Sequence, residues 1–116
     1  AEVAVVTPHR APSSFEVAAL PQKVAGFIVA ERSRTKGHII TIDVLSDARR
    51  TGLGSQLLTS AEERLRSQRC QRVFLETAVD NGPAISFYKR HNYFVVGTEP
   101  RYYSNGVDAL VLGKDL

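Results

Sequence analysis

Cysteine is almost absent from this chain: Cys70 stands alone among 116 residues. An intramolecular disulfide is therefore excluded, and with it a small scaffold stapled by cross-links. A single thiol fits a reducing compartment, and the cytoplasm is the expected location. Long apolar runs are missing too. None approaches the ~20 residues of a membrane-spanning helix, and no charged-then-apolar leader opens the sequence. His9, His38 and His91 are scattered with no second cysteine in reach, so no metal-ligand spacing exists and no metal is expected. There is no repeat and no low-complexity tract. The phosphate loop Gly-x-x-x-x-Gly-Lys-Ser/Thr is absent, and Gly-x-Gly-x-x-Gly fails because Leu57 stands at its last position.

What is present suits one ordinary core. Hydrophobic residues make up 43% and charged residues 23%, the balance of a globular domain rather than a disordered chain. The expected division is an N-terminal arm over residues 1–14 and one domain over residues 15–116. A net charge of +3 mildly favours anionic partners. Phosphate-bearing cofactors and nucleic acid both qualify, and so does a merely solvated surface.

Thr7 to Ser14 carries two prolines and paired serines, which break regular structure. The β-forming residues of Phe15–Leu20, Lys23–Arg32 and His38–Leu45 then predict three strands in an antiparallel meander. After them the period changes. Leu53, Leu57, Leu58, Ala61 and Leu65 recur at helical spacing, with Glu62, Glu63, Arg64 and Arg66 supplying a polar face over a helix from about Gly52 to Ser67. Val73, Phe74 and Leu75 mark a strand over Arg72–Ala78. Asn81 and Pro83 then open a short helix to about His91, the one as a cap and the other in the first turn. Asn92 falls where a left-handed residue ends a helix. Tyr93–Tyr103 and Val107–Leu112 predict two strands around Ser104-Asn105-Gly106. The order β-β-β-α-β-α-β-β gives an α/β (α+β) fold: a mixed, mostly antiparallel sheet with a central parallel pair and a crossover helix.

The most informative stretch is Arg49-Arg50-Thr51-Gly52-Leu53-Gly54-Ser55, between a buried strand and an amphipathic helix. The glycines remove side chains where the backbone enters the helix, whose first N–H groups have no internal partner. That end also carries partial positive charge, so a pyrophosphate is a natural guest, with Arg49 and Arg50 beside it. Taken alone, a Gly-x-Gly of this kind is equally a tight strand-to-helix turn.

Arg49-x-x-Gly52-x-Gly54 resembles the Arg/Gln-x-x-Gly-x-Gly/Ala signature of the GNAT acetyltransferase superfamily. Ile42-Asp43-Val44 is similar to that family's Ile-Ala-Val strand. Leu75-Glu76 with Asn81, Ala84-Ile85 and Phe87-Tyr88 resembles a run of the ribosomal-protein alanine N-acetyltransferases, and Arg101-Tyr102-Tyr103 with Gly106 and Asp108-Ala109 resembles their ending. The match runs in order over about residues 38 to 114.

The resemblance implies an acetyl-CoA-dependent N-acetyltransferase. Arg49, Arg50, Thr51, Gly52, Leu53, Gly54 and Ser55 would cradle the pyrophosphate of coenzyme A. The backbone of Ile42, Asp43 and Val44, together with Asn81, would hold the pantetheine arm. Glu76 is then the candidate general base and Tyr88 the general acid, since a phenol carries its proton at neutral pH. Tyr102 and Tyr103 would line the acceptor site. Cys70 has no base near it in sequence and is not expected to act as a nucleophile. The expected acceptor is a protein N-terminal or lysine amine. The alternatives are a small-molecule amine, or a non-catalytic domain that binds coenzyme A or a partner protein. Neither nucleic acid nor a membrane is an expected partner, and an oligomer is compatible with the sequence. The family opens with a strand and two helices that wall the acceptor groove, and this chain is expected to lack them.

Overall fold

In the computed structural model, which describes residues 2–8, 14–20, 26–44 and 52–116, the β-forming segments supply seven strands and the segments of helical period two helices. The strands are β1 (Glu2–Pro8), β2 (Ser14–Leu20), β3 (Gly26–Ser33), β4 (Lys36–Val44), β5 (Arg72–Ala78), β6 (Phe94–Glu99) and β7 (Ala109–Asp115), with α1 (Leu53–Ser67) between β4 and β5 and α2 (Gly82–Arg90) between β5 and β6. One sheet holds all seven in the order β1-β2-β3-β4-β5-β7-β6. Only β4 and β5 run parallel, across the α1 crossover; every other neighbouring pair is antiparallel.

Alternation along β5 sends Val73, Leu75 and Thr77 inward. Opposite them α1 buries Leu53, Leu57, Leu58, Ala61 and Leu65, a stripe at helical period. These side chains share one core with Phe15, Val17, Ile28, Ala30 and Ile39 of the meander, and with Tyr88, Tyr93 and Leu112. Gly37 permits the close approach of helix to sheet, because a Cβ there would lie 2.6 Å from Leu65 Cδ1. No helix among the described residues is long and apolar enough to cross a membrane.

The structure corrects four expectations. Residues 2–8, expected within an arm, form strand β1, and Glu2 to Pro8 pairs with β2. Val3, Val5, Val6 and Thr7 are β-branched, and Pro8 is tolerated at the end of an edge strand. A strand is therefore present where an arm was expected. The strand expected to reach Tyr103 stops at Glu99, before Pro100 and a positive φ of 51° at Arg101, whose N–H donates to Asp108 Oδ1 at 2.9 Å. The last strand begins at Ala109 and runs to Asp115. Finally, Glu62, expected on a polar helix face, is only 5% exposed. The caps agree with the sequence: Asn81 Oδ1 accepts from Ala84 N at 3.2 Å, and Asn92 has φ 71°. Leu45 and the start of the strand expected from Lys23 lie outside the described residues.

Candidate active site

The parallel ladder between β4 and β5 is short. Lys36 pairs with Arg72, Gly37 with Val73 and His38 with Phe74, and there it ends. Immediately beyond, β4 carries an extra residue: Ala30 pairs with Ile39 but Val29 pairs with Thr41, leaving Ile40 as a bulge. A bulge bends its strand and increases the local twist, which turns β4 away from β5. It also resets the alternation, so that Ile39 and then Ile42 and Val44 pack on the core while Thr41 and Asp43 are exposed. The strands part around a cleft of about 350 Å³. Ile39 to Ile42 form one wall and Leu75, Glu76 and Thr77 the other, with Asn81, Ala84 and Tyr88 of the α2 region and Tyr103 closing it.

Glu76 is on the face of β5 opposite the α1 core, and its side chain is 19% exposed. Its Oε1 lies 2.6 Å from His38 Nε2, the distance of a charge-assisted hydrogen bond. Tyr102 and Tyr103 stack edge to face, with centroids 5.0 Å apart. Burial is the first cause that raises both phenols; for Tyr102 the Glu76 charge comes next, and for Tyr103 the neighbouring Tyr102 and then Glu76. This coupling sets the tyrosine pair beside the carboxylate. Tyr88 is 7% exposed. Burial, and secondarily Tyr103, pushes its phenol up to about 12, so it holds its proton across the physiological range. Cys70 is buried, lies outside the cleft lining, and has a thiol raised chiefly by burial against the opposing charge of Arg32.

The start of α1 has the form the sequence indicated. Gly52 is the N-cap with φ 84°, a conformation glycine adopts without strain, and it supplies no side-chain cap. A Cβ at Gly52 would meet nothing within 4 Å, so the space over the helix end is open among the described residues. Gln56 N donates to Gly52 O at 3.0 Å as the helix begins, and Leu53, Gly54 and Ser55 precede it with first-turn amides that helix geometry leaves without an internal acceptor. An anionic group fits there. At Gly54 a Cβ would stand 3.5 Å from the Phe87 ring, an ordinary contact distance, so α2 lies directly against the start of α1. Ser55 Oγ meets His91 Nε2 at 2.9 Å and ties the end of α2 to the same turn. Arg49, Arg50 and Thr51 lie outside the described residues.

The structure thus brings Ile42, Glu76, Asn81, Tyr88 and Tyr103 to one cleft, with Tyr102 against Tyr103. Asp43 and Val44 continue β4 beyond the cleft lining. Sequence reasoning missed His38 and the Ile40 bulge. The signal for the bulge was the Ile39-Ile40 doublet, which breaks the alternation of β4. A second hollow of about 360 Å³, lined by Lys36, Gln71, Arg72 and Asp115 among others, has its Arg72 already bonded to Asp115 at 2.7 Å.

Residues 5–93 match the model of the Acetyltransferase (GNAT) family. An N-alpha-acetyltransferase of Sulfolobus acidocaldarius is 38% identical over 82 residues, which cover 70% of this chain and 49% of that protein, so the chain spans about half the length of this relative. The crystal structure of Ard1 from Thermoplasma volcanium superposes with a TM-score of 0.82 at 32% identity, covering 90% of this chain and 70% of the other. The NatC complex bound to Gag peptide and CoA contains a chain that superposes with a TM-score of 0.77 at 26% identity, covering 89% and 70% respectively.

Proposed function

The chain belongs to the GNAT acetyltransferase family, and on that premise we propose that it moves an acetyl group from acetyl-CoA to a primary amine of a protein or peptide, foremost an N-terminal α-amine. The observation that carries this reading is the cleft between the parted strands β4 and β5, which is lined by a carboxylate bonded to the neighbouring His38 imidazole and by a protonated phenol. Similarity to an N-alpha-acetyltransferase and to a complex that holds peptide and CoA supports the peptide acceptor. The single buried thiol supports a reducing cytoplasm.

Acetyl-CoA would supply the acetyl group as an activated thioester. The amides of Leu53, Gly54 and Ser55, beside the open Gly52, suit its pyrophosphate, with Arg49, Arg50 and Thr51 next to them in sequence. Backbone groups of Ile42, Asp43 and Val44, and the side-chain NH₂ of Asn81, suit the pantetheine arm; the Asn81 oxygen is already used to cap α2. An α-amine has an ordinary pKa near ~7.7 and a lysine amine ~10.4, so the acceptor must lose a proton before it attacks. Glu76, bonded to His38, takes that proton. Tyr88 holds the proton that a departing thiolate needs. Tyr102 and Tyr103 flank the acceptor.

Two measurements test this. Acetyl-CoA at one hundred times its dissociation constant should stabilise the protein by about 2.7 kcal/mol in a thermal-shift assay. Free-thiol release should follow addition of peptides with a free α-amine and fall when that amine is blocked. Absence of both effects would overturn the reading. The state of Tyr88 gives a further expectation. With its phenol pushed up to about 12, kcat should show no alkaline fall from this group up to about pH 10, roughly two units lower. Tyr88→Phe should lower kcat and leave the acetyl-CoA thermal shift in place. An alkaline fall near about pH 8 that disappears in Tyr88→Phe would refute a protonated Tyr88.

A further inference from the structure

His91 ends α2 and reaches back to the start of α1. Its Nε2 lies 2.9 Å from Ser55 Oγ, in a partly buried contact. Its ring packs on Phe87 with centroids 4.8 Å apart, and the Phe87 ring in turn lies against Gly54. The backbone N–H of His91 donates to Tyr88 O at 3.0 Å as the helix closes. The imidazole is thus placed by its own helix, by a neighbouring ring and by the hydroxyl. An apolar ring would satisfy the Phe87 contact equally well. Only the bond to Ser55 requires an imidazole nitrogen.

Ser55 is the third residue of α1, within the first turn, whose amides have no internal acceptor. Those amides suit the pyrophosphate in the reading above. We propose that His91 is a positioning residue for the cofactor: it fixes the Ser55 hydroxyl as a further donor to the pyrophosphate. The inference rests on the acetyltransferase reading. A serine hydroxyl has one hydrogen and two lone pairs. When the imidazole donates from Nε2–H to Oγ, the hydroxyl hydrogen is left for a phosphate oxygen. In the opposite polarity Ser55 gives its hydrogen to Nε2 and faces the anion with lone pairs alone. A negative group at the turn favours the first arrangement, because a donor aimed at an ionised acceptor makes the stronger bond. A serine with no such partner can rotate and turn its hydrogen to a backbone carbonyl one turn back. The bond to His91 removes that freedom before the cofactor arrives, and preorganisation of this kind raises affinity.

Calorimetric titration with coenzyme A tests the proposal directly. Ser55→Ala should weaken binding by about 10- to 100-fold, the range of a hydrogen bond to a charged group. His91→Phe keeps a ring on Phe87 and removes the nitrogen. It should weaken binding by about three- to tenfold, the range of a bond between neutral groups. His91→Gln, whose side-chain N–H can occupy the place of Nε2–H, should recover much of the wild-type affinity. In the Ser55→Ala background His91→Phe should cost nothing more, since the hydroxyl that it positions is gone. Turnover supplies a second readout. S-acetylpantetheine carries the thioester but no pyrophosphate. In His91→Phe the preference for acetyl-CoA over S-acetylpantetheine, taken as a ratio of kcat/KM, should therefore fall by about the same three- to tenfold. Three results would each overturn the proposal: unchanged coenzyme A binding in His91→Phe, additive losses in the double variant, or an equal fall with both acetyl donors. The contact would then be a structural tie between the helices, and the acetyltransferase reading would stand. Wild-type protein that binds no coenzyme A would overturn that reading first.

Discussion

Replacing Glu76 by glutamine is expected to lower kcat by about 100- to 10,000-fold, the range that a positioned general base contributes. The substitution keeps the size of the side chain and removes its capacity to accept a proton. Glu76 is bonded to His38 at 2.6 Å, so the amide also exchanges a charge-assisted contact for a neutral one. Cofactor affinity should change little, because the first turn of α1 that suits a pyrophosphate is built from other residues. Thermal shift with acetyl-CoA and free-thiol release therefore read separate parts of the site. His38→Ala should also lower kcat, by less, since the carboxylate remains. If Glu76→Gln retained wild-type kcat with a bound peptide, the amine would have to lose its proton elsewhere. The cleft would then be a binding site without a base.

The sequence carried most of the fold because the informative patterns were long and local. Leucines at helical spacing over Leu53–Leu65 and the apolar run Val73-Phe74-Leu75 within Arg72–Ala78 match the observed α1 and β5. Breakers close together were misleading. Prolines and serines between Thr7 and Ser14 outweighed three valines, although a strand on an edge can carry Pro8 at its end. Glu62 is a different failure. Its charge placed it on the polar face of α1, yet its partners Tyr93 and Lys114 stand 31 and 52 positions later in the chain. No periodicity within a helix reports such a partner.

The site divides in the same manner. The glycines at 52 and 54 announce a bare helix start through local geometry, and Asn81 announces a cap. Glu76 and Tyr88 were singled out only through a resemblance, since an acidic residue in a strand and an aromatic residue on a helix are ordinary. His38 was invisible because its meaning depends on register: a parallel pair that ends at His38 and Phe74, and a bulge at Ile40 that opens the cleft one step later. The doublet of isoleucines hinted at the bulge but not at what it exposes.

The largest expected loss of stability follows from Glu62. It lies on α1 and is 5% exposed. Tyr93 O–H donates to its Oε2 at 2.7 Å, and Lys114 Nζ donates to its Oε1 at 2.9 Å. The Lys114 ammonium also stands 5.6 Å from the centroid of the Tyr93 ring. Burial, and then the charge of Glu62, raises the Tyr93 phenol, which keeps it a donor. Glu62→Ala removes the acceptor for both groups at once. The Lys114 side chain is 18% exposed, so its cation would be left largely enclosed and unpaired, with the Tyr93 hydroxyl unsatisfied beside it. Breaking a buried pair in this way costs about 3–5 kcal/mol, and the partial access of Lys114 to solvent sets the expectation near about 3. In a domain of this length that is a fall of roughly 12 °C in Tm. Tyr93→Phe should cost less, about 1.5–3 kcal/mol, the worth of a hydrogen bond to a charged group. Pairing Glu62→Leu with Lys114→Met should recover much of the loss, because an apolar pair strands no charge. Urea unfolding of the three variants measures all of this. A loss below about 1 kcal/mol in Glu62→Ala would mean that Lys114 reaches water freely and the network is an exposed ion pair. The network also bears on the cleft, since the Tyr93 ring that it anchors meets the Tyr88 ring edge to face at 5.7 Å. The same substitution that loosens α1 from β7 should therefore loosen the support behind the Tyr88 phenol.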